Sequence, residues 1–300
     1  MTITQSNLKE FDYSDKFFPV KLLILKGEEL ANWPEFLELH WHPELQMTVC
    51  TQGEIEMMLE GQHVILHAKE ALFINRNILH QLVYASKDAR AFAIDFSESI
   101  LTFHTNSRMD IDCVKPYTNS YQIAGFALTQ HLSWQQEAIH HAMIIYYLYT
   151  EHNVSFTEYE IAIHLSQLWL LLCRHTKKAQ QISTQVHFDK HHLEAAQLML
   201  SYIYEHYAEK ILLEDIANSG HVSTTECGRI FHAFTQQSPH NYLTSYRLQR
   251  ACYYLLRSPN RTITDIAQDV GFTQTSSFIR QFSKRYGMTP KAYRMQGHNQ

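Results

Sequence analysis

The 300-residue sequence predicts an α+β protein, in which an antiparallel β-barrel with associated helices precedes an all-α domain. Three observations lead to this fold class. Apolar and polar residues alternate along short segments of the N-terminal third, long amphipathic stretches occupy the middle, and one helical pattern occurs twice near the C-terminus. The chain is long enough for two domains with separate cores.

Short strands joined by tight turns are predicted in the N-terminal part of the chain. Alternating apolar and polar side chains recur between turn-forming residues, which is typical of half-buried strands. At Glu60 and Gly61 the turn is short, and glycine tolerates the positive φ that tight hairpins require. The predicted strands are residues 46–51, 55–59, 63–67, 71–74, 80–84 and 91–96. They indicate a small antiparallel barrel or jelly roll, which we assign to residues 1–132.

Two helices are predicted between residues 133 and 178. The first begins at Ser133, a candidate N-cap with a glutamine at the third helical position, and the second begins near Ser155. Residues 168–173 are apolar around the whole helix and should be buried on several sides, but the run is too short to span a bilayer. These helices can pack on the barrel, form a homodimer interface, or do both. The polar, aperiodic residues 179–189 are predicted to be a linker.

One pattern occurs twice in the predicted all-α domain, residues 190–297. Residues 213–242 and 263–293 each predict a short helix, a tight turn and a second helix. The offset between the copies is fifty residues in the first helix and the turn, and fifty-one at the arginine of the second helix. The second recognition segment therefore carries one extra residue. We interpret the copies as two helix-turn-helix units that present two recognition helices to DNA.

Equivalent residues in the two copies suit the same structural roles. Ser223 and Thr273 can each cap the second helix of a unit by accepting a backbone N–H bond. Ala217 and Ala267 are small enough to let the two helices of a unit cross closely.

These residues resemble the DNA-binding domain of the AraC/XylS family of bacterial transcription regulators. The resemblance covers residues 193–295, and residues 266–294 match the family signature almost position by position. The first unit departs from the pattern at Gln236, where the family usually has glycine, and at Gly228, which costs a helix about 1 kcal/mol relative to alanine. The resemblance implies that the protein binds paired half-sites in double-stranded DNA. The residues implied to reach the major groove are Thr225, Arg229, Thr275, Ser276, Ser277 and Arg280.

The charge distribution agrees with this interpretation. Residues 190–300 contain 12 lysines and arginines against 8 aspartates and glutamates, a net charge of +4. The rest of the chain has 13 against 22, a net charge of −9, and the two parts give the total of −5. A basic module within an acidic chain is expected when one part contacts phosphates and the other does not.

The N-terminal strands, together with His40, His42, Gln46 and His80, resemble a cupin barrel. In regulators of this kind the barrel senses a ligand, so the resemblance implies that these four residues bind a small molecule. Metal-binding cupins have a glutamate where Gln46 stands. The three histidines could still hold a metal, and a metal sensor or a cupin enzyme remains an alternative. In another alternative the barrel only dimerises, and the regulator needs no ligand.

Composition limits the remaining possibilities. Five cysteines without a CxxC pair do not form a disulfide framework, and together with the absence of an export segment they predict a cytoplasmic protein. Neighbouring histidines at 140–141 and 191–192 should point to different helix faces and be poor chelates. We predict no catalytic residue, no cofactor and no bound metal.

Taken together, the patterns and resemblances predict a transcription regulator and not an enzyme. A small molecule in the barrel would change how two DNA-binding modules sit on paired half-sites, which requires that it bind one arrangement better than the other. The resemblance implies a carbohydrate as the most common ligand, activation as the more frequent role, a homodimer, and RNA polymerase as a partner.

Overall fold

The computed structural model describes residues 18–30, 38–120, 123–151, 156–175, 190–258 and 260–297. These residues divide into a β-rich unit, formed mainly by residues 39–175, and a helical unit, formed mainly by residues 190–297. The predicted linker at 179–189 lies outside the described residues.

The β-rich unit consists of two antiparallel sheets. Its strands are β1 (Val20–Lys26), β2 (Leu45–Gln52), β3 (Glu54–Leu59), β4 (Gln62–His67), β5 (Glu70–Ile74), β6 (His80–Ala85), β7 (Arg90–Phe96) and β8 (Gly125–Leu128). One sheet has the order β1-β7-β2-β5-β8, and the other has the order β4-β3-β6. All predicted strands are confirmed, whereas β1 and β8 were not predicted. Glu60 and Gly61 form the predicted turn between β3 and β4, with φ values of 47° and 79°.

Two long helices and several short helical segments accompany these strands. They are α1 (Gly27–Leu30), α2 (Ser99–Thr102), a π-helix (Met109–Val114), α3 (Lys115–Thr118), α4 (Ser133–Thr150) and α5 (Thr157–His175). Side chains of α4 and α5 share one core with the sheet, for example Ile145 and Leu168 with Phe92. These two helices therefore complete the core of the barrel.

Two details of this helical pair differ from the prediction. The N-cap of α4 is Leu132 and not Ser133, which is already the first helical residue. In the run at 168–173, Leu168 and Leu172 are buried but Leu170 is 46% exposed, because α5 packs on the sheet with one side only. The predicted helix start at Ser155 lies outside the described residues.

The helical unit contains the predicted pair of helix-turn-helix motifs. Its helices are α6 (Lys190–His206), α7 (Leu213–Ser219), α8 (Thr224–Thr235), α9 (Pro239–Arg257), α10 (Ile263–Asp269), α11 (Thr275–Tyr286) and α12 (Pro290–Gly297). Ala217 and Ala267 are buried at the predicted close crossings. None of the described helices combines the length and the apolar character that a membrane span requires.

The two motifs have the same hydrogen bonds in their turns. In the first, the amide of Val222 donates to the carbonyl of Ala217, and in the second Phe272 donates to Ala267, at 3.1 and 2.9 Å. The helices α8 and α11 have the same length of 12 residues. The extra residue of the second copy therefore lies in the turn before α11, and not in the recognition helix itself.

This extra residue explains why one predicted cap is present and the other is not. Ser223 caps α8, and its hydroxyl accepts a bond from the amide of Glu226 at 3.2 Å. The corresponding Thr273 is not the cap of α11, because the longer turn places Gln274 at that position without a side-chain cap bond.

Candidate nucleic-acid interface and effector site

The first recognition helix, α8, presents a polar face. Thr225 and Arg229 lie four residues apart and are both exposed, while Ile230 and Phe234 are buried on the opposite side. His232 is exposed one turn further along, and sequence reasoning missed it. Its spacing of three from Arg229 is the signal that could have identified it.

The second recognition helix, α11, presents a similar face. Ser276 and Arg280 are exposed, whereas Thr275 and Ser277 are half-buried. The hydroxyl of Ser277 accepts a bond from Nε2 of Gln281 at 3.4 Å. Ile279 is 37% exposed beside Arg280 and was also missed. Because thymine methyl groups line the major groove, an exposed aliphatic side chain suits this face.

Arg229 and Arg280 differ in their surroundings. Nη2 of Arg229 lies 2.5 Å from Oε1 of Glu226, and its Nε donates to Oε2 of the same carboxylate at 3.0 Å. Hydrogen bonding from Arg229 lowers the pKa of Glu226 to about 2. His192 on α6 contacts the same pair. Arg280 is exposed, and its side chain has no ion pair or hydrogen bond within the described part of the chain.

In the β-rich unit, the four predicted ligand-binding residues come together. Backbone bonds of 3.0 and 2.9 Å join His40 to His80, the first residue of β6. The nearest ligand atoms of His40, His42 and His80 all lie within 4.8 Å of one another. Gln46 is buried next to them, with Oε1 at 3.1 Å from Nε2 of His42, and its Nε2 donates to Oγ1 of Thr48 at 2.8 Å.

Acidic side chains that sequence reasoning missed complete this cluster. Nδ1 of His42 lies 3.4 Å from Oε2 of Glu44, and Asp95 is fully buried on β7 opposite Gln46. Burial lowers the pKa of His42, but the hydrogen bond with Glu44 and the charge of Asp95 outweigh it, so the pKa is raised above its ordinary value. An aspartate within the apolar run 91–96 was the available signal.

Comparison with known proteins bears on both units. The helix-turn-helix domain family matches residues 216–296, and the cupin domain family matches residues 34–95. The regulatory protein SoxS of Salmonella typhimurium is 30% identical over 103 residues, which are 34% of this chain and 95% of that protein. This chain belongs to the AraC family of transcription regulators. It is a DNA-binding regulator with a cupin domain.

Two further relatives of this AraC-family chain match most of its length. The uncharacterized HTH-type transcriptional regulator YdeC of Bacillus subtilis is 28% identical over 293 residues, 97% of each chain. The melibiose operon regulatory protein of Escherichia coli is 25% identical over 266 residues, 85% of this chain and 82% of that protein. Both are named as regulators and neither as an enzyme.

The three histidines of the barrel cluster in this AraC-family regulator lie close enough together to hold a metal, but their hydrogen bonds in the structure engage them with protein groups. Oε1 of Gln46 can only accept, so in this arrangement Nε2 of His42 donates the hydrogen bond that joins them. Nδ1 of His80 donates to the carbonyl of Ile78 at 2.8 Å. A neutral amide also replaces the carboxylate ligand. The arrangement has the character of a buried hydrogen-bonding site.

Proposed function

We propose that this regulator binds a small polar molecule, of the carbohydrate class, among His40, His42, Gln46 and His80. The buried polar cluster carries the proposal. Sugar hydroxyls donate and accept hydrogen bonds, and imidazole, amide and carboxylate groups together offer both functions. A few polar groups inside an apolar barrel are typical of ligand sites. The name of the melibiose operon relative, which matches both units, supports the carbohydrate class.

Thermal unfolding of the full chain against panels of sugars, other metabolites and divalent metals tests the effector site. A ligand at a hundred times its dissociation constant adds about 2.7 kcal/mol to the free energy of unfolding. Gln46→Met should abolish the shift caused by a sugar, because it removes the amide but keeps the side-chain volume. Gln52→Met, at the exposed end of the same strand, should retain it.

The remaining outcomes of this experiment separate the alternatives. A shift with metal alone that is lost in His80→Gln would favour the metal sensor. If no compound shifts the unfolding midpoint, the regulator whose barrel only dimerises becomes the better hypothesis. A sugar-induced shift that is unchanged by Gln46→Met would place the ligand elsewhere.

The proposed DNA contacts are the exposed polar faces of α8 and α11. Helix α9 separates the motifs, and its 19 residues span about 28 Å. This length is comparable with the roughly 34 Å turn of B-DNA, so two recognition helices on one DNA face are sterically reasonable. The residues assigned to the major groove are Thr225, Arg229, Thr275, Ser276, Ser277 and Arg280. Lys284, one turn after Arg280, is assigned to phosphate.

Substituting Arg280 with alanine tests the second recognition helix. We expect a loss of about 1–3 kcal/mol in binding that is confined to particular base pairs, because arginine pairs with guanine through two hydrogen bonds. Lys284→Ala is the matched control, and it should weaken binding to every sequence equally. Binding titrations on operator variants distinguish the two patterns. Unchanged affinity in Arg280→Ala would refute the assignment.

A homodimer is the proposed active form. Tyr159, Ile163 and Leu170 lie along one side of α5 and are 72%, 46% and 46% exposed. A cavity of about 660 Å³ lies beside them, between α5 and residues 100–117. An apolar helix face of this kind suits the equivalent face of a second copy. Activation, contact with RNA polymerase and a cytoplasmic location complete the proposal, and they follow from the family pattern.

A further inference from the structure

Two histidines outside the barrel cluster meet between α4 and α5. Nδ1 of His141 on α4 lies 2.9 Å from Nδ1 of His164 on α5, and both side chains are partly buried. Only one of the two nitrogens can carry the proton of this hydrogen bond, so the other presents its lone pair. Adjacent histidines at 140–141 were predicted to be poor chelates, and the relevant neighbour of His141 is instead on another helix.

A glutamate precedes each histidine by one helical turn. Glu137 stands four residues before His141, and Glu160 stands four residues before His164, so each pair lies on one helix face. The charge of Glu137 acts on His141, and that of Glu160 acts on His164. Consecutive helices joined by a short connection run antiparallel. Each glutamate lies on the N-terminal side of its histidine, so in an antiparallel pair the two glutamates flank the histidine contact from opposite ends.

We propose that Glu137, His141, Glu160 and His164 form a binding site for a divalent transition metal of the zinc class, which would clamp α4 to α5. Two imidazoles and two carboxylates make a donor set that zinc accepts in tetrahedral geometry. This site is separate from the proposed effector cluster and from the DNA-binding residues.

The geometry requires only small adjustments. In a tetrahedral zinc site with nitrogen ligands at about 2.0–2.1 Å, the two nitrogens lie about 3.3 Å apart. The Nδ1 atoms at 2.9 Å would separate slightly. The bridging proton moves to Nε2 of its own ring, so each imidazole coordinates in the neutral form. Both glutamates are exposed on the helix surface, so their side chains would have to rotate for the carboxylates to reach a metal at the histidines.

The electrostatic surroundings favour neutral ligands. Burial and the charge of His164 lower the pKa of His141, although the charge of Glu137 opposes them. Burial also lowers the pKa of His164, with a further contribution from His140 and against the opposing charge of Glu160. A metal competes with protons for imidazole nitrogen, so a neutral histidine binds it without first losing a proton.

Titration of the full-length protein with Zn²⁺ and Co²⁺ tests the proposal. We expect one bound metal, a raised thermal midpoint, and the intense visible bands of tetrahedral Co²⁺. His164→Gln should weaken binding at least about tenfold, and His131→Gln, an exposed histidine before α4, should not. Glu160→Gln should also weaken binding, whereas Glu158→Gln, which is likewise exposed on the same helix, is its matched control.

Several outcomes of these titrations would overturn the proposal. Wild-type protein that binds neither metal excludes the site, as does full affinity in His164→Gln. Affinity lost in His80→Gln but kept in His164→Gln would place the metal in the barrel. If His164→Gln fails to fold, the comparison between Glu160→Gln and Glu158→Gln decides, because both substitutions change exposed side chains and leave the core intact.

Discussion

At the scale of single residues, Glu60 is a carboxyl group that the fold buries in a tight turn. Only 8% of the residue is exposed, and burial raises the pKa of its side chain to about 7. In the unfolded chain the pKa is near 4.5. The folded state therefore holds the proton more tightly, and this group stabilises the fold at low pH relative to high pH.

Because the pKa of Glu60 is higher in the folded than in the unfolded chain, replacing Glu60 should change the free energy of unfolding in a pH-dependent way. The contribution of Glu60 is fully present below pH 4.5 and is lost as the pH rises through 7. Glu60→Gln should therefore leave the free energy of unfolding nearly unchanged near pH 4.5 and raise it by about 1–3 kcal/mol at pH 8. Urea unfolding at both pH values measures the difference. Glu158→Gln, which changes an exposed side chain, is the control, and a flat profile for Glu60→Gln would contradict the assignment.

The two recognition arginines, Arg229 and Arg280, have different side-chain partners, although their positions in the sequence pattern are equivalent. Arg229 is held by Glu226, and Arg280 is not held by a carboxylate in the described residues. Glu226 lies one turn away on the same helix, so this pairing is local and could have been anticipated. The contribution of His192 could not, because it comes from another helix.

At the scale of elements, the two recognition helices end differently. Gly287 stops α11 in the left-handed conformation, with φ of 70°. Gln236 adopts the same conformation after α8, with φ of 57°. A side chain in this region costs about 1–2 kcal/mol. Together with Gly228 inside α8, this makes the first motif the less stable one, in agreement with its departure from the family pattern.

Replacement of Gly228 by alanine should stabilise the first motif. A Cβ atom at this position would meet no atom within 4 Å, so only the helix preference changes. We expect the free energy of unfolding to rise by about 1 kcal/mol. Gly287→Ala is the opposite control, since its positive φ should make alanine destabilising. Chemical denaturation of both variants provides the measurement, and a loss of stability in Gly228→Ala would show that the helix does not tolerate a side chain there.

At the scale of the whole molecule, the exposed apolar face of α5 is the proposed homodimer interface. Ile163→Asp should shift the protein toward monomer in sedimentation experiments, because a charge would be buried in the proposed interface without a partner. Ile65 on β4 is a matched control, with 52% exposure on the barrel surface, and Ile65→Asp should leave the dimer intact. Equal dimerisation of both variants would exclude this face. Standard interfaces bury roughly 800 Å² per partner, so neighbouring apolar residues are expected to take part.

The fold class, six of the barrel strands and the two helix-turn-helix motifs could all be predicted from the order of the amino acids. These features depend on local periodicity and on motifs, and both are properties of neighbouring residues. The roles of the predicted DNA-binding and ligand-binding residues stay predictions. A sequence pattern predicts the length of a turn less well than it predicts a helix. The prediction that Thr273 caps α11 was therefore wrong, because the turn is longer and Gln274 is the N-cap.

Contacts between side chains that are distant in the sequence could be identified only from the tertiary structure. Strand register places Asp95 opposite Gln46, and the packing of α4 on α5 joins His141 to His164 across 23 residues of sequence. Periodicity specifies which face of an element is buried but not which residue it faces. That choice depends on register and on packing between elements, which no local pattern encodes.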